Sequence, residues 1–176
     1  MRKILASILI TLAMLAISAQ TTAPVAIPQG ASFELGFSPG GTDLALVVKF
    51  ISSAQKSIRM ADYEFTEADI ADALVAAHGR GVDVQVVSDS TAGHAKYALN
   101  STLAQAGIPL RYDHHYAIHH HKFIIVDGVD VETGSFNYTV GAVRRNAENA
   151  LVLWNVEPLA ALYLREWARL WGESLP

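Results

Sequence analysis

The stretch "HHHKFIIVDGVDVETGSFN", residues 119 to 137, opens with three histidines and a lysine, crosses an apolar run, and ends in Gly-Ser-Phe-Asn. Phe123 to Val126 are all apolar, Asp127-Gly128 follows, and Val129 to Thr133 then alternates between apolar and polar. Asp-Gly between two such runs signals a β-hairpin with a two-residue turn. With Asp127 and Gly128 as the turn, Val126 is expected opposite Val129, Ile124 opposite Val131, Lys122 opposite Thr133 and His120 opposite Ser135. Ile118 then faces Asn137. Cross-strand partners share a face, and so do residues two apart on one strand. His120, Lys122, Ser135 and Asn137 are therefore expected on one face near the open end of the hairpin, with Asp127 in the turn at the far end. The conclusion hangs on the register, because a slip of one residue turns every side chain to the opposite face.

These four residue types suit work on a phosphate. Lysine neutralises a phosphoryl oxygen as a point charge. Serine and asparagine donate hydrogen bonds as charge builds at phosphorus. Histidine near neutral pH serves as nucleophile or general acid. One histidine does not readily attack phosphorus and also protonate the leaving oxygen, because in-line displacement sets those two atoms on opposite sides. One such cluster is half a site, and a two-fold dimer that pairs two His120 side chains completes it. Two other readings stand beside this one. The polar groups could merely meet water at a strand end. Or His119 and His121, on one strand face, could share a metal with His114 or His115, although no established zinc spacing is met.

Outward from the hairpin, strand-like and helix-like periods alternate. Short strands are expected at Ala31 to Phe37, with Phe33, Leu35 and Phe37 on one face, at Ile58 to Phe65, at Val82 to Ser88 and at Ala147 to Trp154. Pro109 to Tyr112 reads as short and extended. Helices are expected from Thr42 to about Ala54, after a Thr66 cap to Gly79, over about His94 to Ala106, and from Pro158 to Trp171. This alternation predicts an α/β fold: a central mixed, largely parallel sheet flanked by helices on both faces. In the last helix Leu159, Tyr163, Trp167, Leu170 and Trp171 recur at helical spacing, which reads as core packing, with a subunit interface as the sharper alternative.

The 176 residues suggest one domain with room for a core. Arg2 and Lys3, followed by an apolar run from Ile4 to Ala19, read as an export signal, so residues 1–26 are expected to be a signal peptide and short linker and 27–176 a single catalytic domain. The expected location is periplasmic or secreted. A chain with no cysteine forms no disulfide and has no thiolate for catalysis or for a cysteine-bound zinc. The net charge of −4 becomes −6 once Arg2 and Lys3 leave with the signal. Any basic face for nucleic acid must therefore be local. Lys96, Arg111, Arg144 and Arg145 are the candidates for such a rim, with Arg144 and Arg145 between Asn137 and Glu148 and able to reach substrate phosphates. Tyr63 lies near the end of the second strand, where α/β folds bind ligands.

The pattern His120-x-Lys122-x4-Asp127-x6-Gly134-Ser135-x-Asn137 resembles the HKD motif of the phospholipase D superfamily, in a single copy. The likeness to small bacterial Nuc-type endonucleases runs from about residue 31 to the end, through "SIRMADYEFTEADIADAL", "RGVDVQVV" and "NAENALVLWN". The resemblance implies a phospholipase D-like fold and a homodimeric, metal-independent phosphodiesterase that needs no cofactor. It implies a covalent phosphohistidine on one His120, with the second copy's His120 protonating the leaving group. Lys122 and Asn137 would hold phosphate oxygens and Ser135 would support the cluster. Glu148 lies where the family places the acid that orients the histidine. Asp127 and Gly134 belong to the motif, and the hairpin reading makes Asp127 structural. Nucleic acid is the expected substrate, with phospholipid head groups as the alternative. The extra histidines depart from the family pattern: on a strand His119 and His121 point away from the reactive face, where no role is the first expectation and packing or substrate contact the alternative.

Overall fold

The computed structural model describes residues 23–176; the expected export signal lies outside the described residues, apart from the end of its linker. Seven strands form one sheet: β1 (Ser32–Ser38), β2 (Ser57–Asp62), β3 (Asp83–Asp89), β4 (Leu110–Asp113), β5 (Phe123–Val126), β6 (Asp130–Gly134) and β7 (Glu148–Trp154). The helices are α1 (Thr42–Ser53), α2 (Ala68–Gly79), α3 (Ser90–Gly93), α4 (Asn100–Gln105), α5 (Val140–Arg145) and α6 (Glu157–Glu173). The sheet order is β1-β7-β6-β5-β2-β3-β4. β2, β3 and β4 are parallel neighbours; every other pair is antiparallel. The sheet is thus mixed. All strands except β5 and β7 point one way, and those two are interleaved among the rest.

Each face has its own core. On one, α1 and α2 press Val47, Phe50, Ile51 and Leu74 onto Ile58, Met60, Val84, Ile124 and Val152. On the other, α6 brings Trp167, Leu170 and Ala160 onto Ala61, Val87, Phe123, Ile125 and Val131. Trp167 satisfies its buried indole N–H on the Met60 carbonyl at 2.9 Å. Trp167 and Leu170 of the last helix's stripe are therefore core, with Leu159, Tyr163 and Trp171 partly buried against them. α6 spans β2 to β6. Beyond its reach, Phe33, Leu35 and Phe37 of the edge strand β1 stand 69%, 48% and 55% exposed on the same sheet face. Among the described residues no helix is long and apolar enough to cross a membrane.

The hairpin differs from its sequence reading by one residue. The Asp-Gly turn forms, closed by Val129 N–H on the Val126 carbonyl at 3.1 Å, with both turn residues left-handed (φ 55° and 72°). But Val126 pairs with Asp130, Ile125 with Val131, Ile124 with Glu132 and Phe123 with Thr133. Val129 is an extra residue, a bulge, and its carbonyl is drawn off to accept the Val156 N–H at 3.0 Å. The pairings of Lys122 with Thr133 and His120 with Ser135 are accordingly replaced, and Glu132 enters the core.

The helices also depart from the sequence reading at three places. Of the expected helix from His94 to Ala106 only the short α4 forms; residues 94–99 are irregular, and another short helix, α3, lies just before them. Thr66 does not cap α2, which starts after Glu67; its hydroxyl instead accepts the Val140 N–H, tying α2 to the unforeseen α5. α5 is capped by Thr139, whose Oγ1 accepts the Ala142 N–H at 3.1 Å.

Candidate active site

β2, β3 and β4 end at the same edge of the sheet where β5 and β7 begin and β6 ends. His120, Lys122, Ser135 and Glu148 gather along that edge. His120 lies in the irregular run before β5 and is exposed, its ring 4.8 Å from that of Tyr63, just past β2. Lys122 is buried, 8% exposed, and its Nζ donates to the His120 carbonyl at 2.8 Å. The same ammonium stands 5.3 Å from the Tyr63 ring centre. Tyr63 is thus a wall of the site, shared by the histidine and the lysine. Burial pulls the Lys122 pKa below the ordinary lysine value, and the carboxylates of Glu148 and Glu64 oppose that shift.

Ser135 and Glu148 form the second half of the edge. Ser135 Oγ donates to Glu148 Oε2 at 2.6 Å and accepts the Asn149 N–H at 3.1 Å. Asn146 Nδ2 donates to Glu148 Oε1 at 2.9 Å. Both Glu148 oxygens are thus engaged by Ser135 and Asn146, and the orienting bond from Glu148 to the His120 ring is not among the contacts of the described residues. Asn146 and Asn149 were not singled out from the sequence; the signal was that both flank Glu148. Gly134 lets β6 approach β7 closely, since a Cβ there would overlap the Asn149 carbonyl oxygen. Asn137 follows the buried Phe136, and its Oδ1 is itself buried without a hydrogen-bond partner. A buried acceptor with no partner is costly unless something fills it.

The remaining motif residue lies elsewhere. Asp127 sits in the turn at the far end of β5, its carboxylate accepting the N–H groups of Gln55, Lys56 and Ser57 at 3.0, 2.7 and 2.9 Å. Burial raises its pKa, but those three donors outweigh this and hold it below the usual carboxylate value. Arg144 and Arg145 end α5, exposed and without an ion pair among the described residues. Arg111 is not a free rim charge: it stacks on Trp171 at 4.5 Å and donates to its carbonyl.

The histidines flanking His120 need correction. His119, of which no role was expected, is buried, its Nδ1 3.0 Å from Asp113 Oδ2. His121 is half exposed, 3.5 Å from Glu166. His114 and His115 are exposed. Among the described residues no three His, Asp or Glu side chains gather as a metal would require. Beside His120 opens a cavity of about 360 Å³ lined by Tyr116, Ile118, His119, His121 and Arg169. Beneath the edge lie two buried acids that the sequence did not flag. Burial pushes Asp62 up to about 7 and Glu132 up to about 8, with Ser88 and Tyr138 as their respective hydrogen-bond donors.

A family description, "Cardiolipin synthase, PLD-like domain", matches residues 47–171. The chain belongs to the phospholipase D superfamily. Within that superfamily of phosphodiesterases it is similar to Nuc, a phospholipase D family member from Salmonella typhimurium, whose crystal structure is 46% identical, with a TM-score of 0.80 over 82% of this chain and 96% of that one. NucT from Helicobacter pylori shares the fold, with a TM-score of 0.76 at 24% identity over 82% of this chain and 98% of the other. The phospholipase D of Rickettsia conorii is 37% identical over 74% of this chain and 65% of its own length. The mitochondrial cardiolipin hydrolase of Chlamydomonas reinhardtii is 34% identical over 77% of this chain and 60% of its own. The chain thus spans about three fifths of the length of the curated relatives it first matches. The fold expected from the phospholipase D resemblance is the one found.

Proposed function

We propose that this chain is a metal-independent phosphodiesterase that cleaves nucleic acid as a homodimer, through a phosphohistidine on His120. The observation that carries the reading is the pairing at one sheet edge of an exposed His120 with a buried Lys122. One group is free to attack and the other is held to receive charge. In the first step the His120 ring nitrogen forms a bond to phosphorus while the P–O bond to the leaving group breaks. The second copy's His120, protonated, gives its proton to that oxygen. In the second step water attacks phosphorus, the N–P bond breaks, and the second copy's His120 takes the water proton back. Lys122 neutralises the phosphoryl oxygens, and the Asn137 amide supplies a further contact. Glu148 fixes Ser135 and helps to keep Lys122 charged. Arg144 and Arg145 lend local positive charge to a strand of nucleic acid. Export by the N-terminal leader belongs to the same proposal.

A second reading, hydrolysis of a phospholipid head group, is favoured by one feature. Tyr116 and Ile118, 42% and 53% exposed, line the cavity beside His120. The names of the cardiolipin hydrolase and phospholipase D relatives point the same way.

The test is nicking of plasmid DNA in excess EDTA by the wild type and by His120→Ala, with cardiolipin vesicles assayed alongside. Cutting by the wild type alone supports the nuclease. Turnover of vesicles without cutting moves the chain to the lipid reading. Activity that appears only when metal is restored overturns the phosphohistidine.

A further inference from the structure

We propose that His119 is a positioning residue: clamped between Asp89 and Asp113, it holds the segment that carries His120 in its reactive place. The inference rests on the reading of His120 as the nucleophile.

Strands β3 and β4 end in register, with Asp89 directly opposite Asp113. Both carboxylates turn to His119. Asp89 Oδ2 accepts the His119 main-chain N–H at 2.9 Å, while its Oδ1 accepts the N–H groups of Thr91 and Ala92, each at 2.9 Å, at the start of α3. Asp113 Oδ2 meets the His119 ring at Nδ1, and both side chains of that pair are 0% exposed. Asp113 Oδ1 accepts the His115 N–H at 2.8 Å, so the loop is tied at its start as well. Burial raises the Asp113 pKa, yet His119 and the N–H groups of His115 and Tyr116 together leave it below the usual value. An ionised carboxylate only accepts, so the ring proton sits on Nδ1.

The chain between β4 and β5 has no regular structure, and from His114 to His121 His119 alone is buried. An exposed, irregular segment is free to wander unless something fixes it. Here a single residue carries the burial, a side-chain bond and a main-chain bond, and the next residue is His120. The sheet edge thereby sets the position of the nucleophile through one peptide unit. Displacing a nucleophile by about 1 Å costs on the order of 10²-fold in rate.

The test uses bis(p-nitrophenyl) phosphate, a phosphodiester that is neither nucleic acid nor lipid. His119→Met fills the space but donates no hydrogen bond. Its kcat is expected to fall by about 10²-fold with KM little changed. His119→Gln, whose amide can donate to Asp113, is expected to recover most of that loss. A His119→Met variant that turns over like the wild type overturns the clamp. A second measurement needs no variant to fold: the histidine ring spectrum of 15N-labelled wild type should contain one exchange-protected Nδ1–H, and its absence overturns the proposal too. His120→Ala separates the two readings. If it stays active, the nucleophile assignment and the clamp fall together. If it is dead while His119→Met is unimpaired, the clamp falls alone.

Discussion

Lys122 and Glu132 are both ionisable residues taken out of water, and the outcomes differ. Lys122 keeps carboxylates nearby and stays within reach of a phosphate; Glu132, fully buried, has only the Tyr138 hydroxyl at 2.7 Å and leaves its second oxygen unpartnered. Because burial lowers the Lys122 pKa, its charge is lost at a lower pH than an ordinary lysine's. The alkaline limb of kcat/KM should accordingly come early, and Lys122→Arg, if it retains activity, should move that limb to higher pH. A pH profile of the two proteins checks this. Glu132 titrates in the folded state at about 8 against an ordinary 4.5. Between those values the folded state holds a proton that the unfolded chain has released, so stability falls as pH rises through that window. Glu132→Gln keeps an acceptor for Tyr138 and removes the titration. Its stability relative to wild type should therefore grow from pH 5 to pH 8, as read by urea melts at both. An unchanged difference would mean that Glu132 is charged throughout.

At the scale of elements, the two hairpin glycines and Asp127 show how a motif can be partly architecture. Asp127 joins the β5–β6 turn to the loop between α1 and β2 through three main-chain donors, at the opposite end of β5 from His120. Asp127→Ala loses those acceptors and puts a residue less tolerant than aspartate in a left-handed backbone, which together should cost about 2 kcal/mol. kcat should barely move, and denaturation beside steady-state kinetics tests both halves. Gly134→Ala should do the reverse of a mild change: the overlap with Asn149 forces β6 from β7 and drags Ser135 off Glu148. Both stability and activity should fall. These elements also show what the sequence could carry. Strand and helix periods placed the sheet and both flanking layers, because period and burial are local properties. The motif named His120, Lys122 and Ser135, and the family likeness added Glu148; the fold brings these four to one edge. The register did not follow, because Val129 bulges after the left-handed turn and its carbonyl turns to Val156, far along the chain and invisible to local pattern. His119 was missed for the same reason: the aspartates that bury it end two other strands. The long predicted helix after β3 failed because periodicity does not reveal the break at residues 94–99.

For the whole molecule, the decisive matter is where a second copy would sit. The proposed chemistry needs two His120 side chains, and one chain supplies one. Phe33, Leu35 and Phe37 form an exposed apolar row on an edge strand that α6 leaves uncovered. A row of this kind is a natural interface between copies. It also runs into the site, since Phe37 pairs with Asn149 and Ser38 with Glu148. A copy seated there would bring its own sheet edge beside the first. Leu35→Glu buries a charge in such a seam, so it should yield a monomer by sedimentation at concentrations where the wild type is a dimer, and lose activity while keeping its fold. A monomeric wild type, or a variant that dimerises as before, removes this face from consideration; vesicle binding lost by the variant would assign the row to lipid instead. Subunit mixing then asks whether two histidines act together. When His120→Ala chains are exchanged into the wild type, activity should fall with the square of the wild-type fraction, because only a dimer with both histidines completes the reaction. A fall in simple proportion would show that each chain works alone.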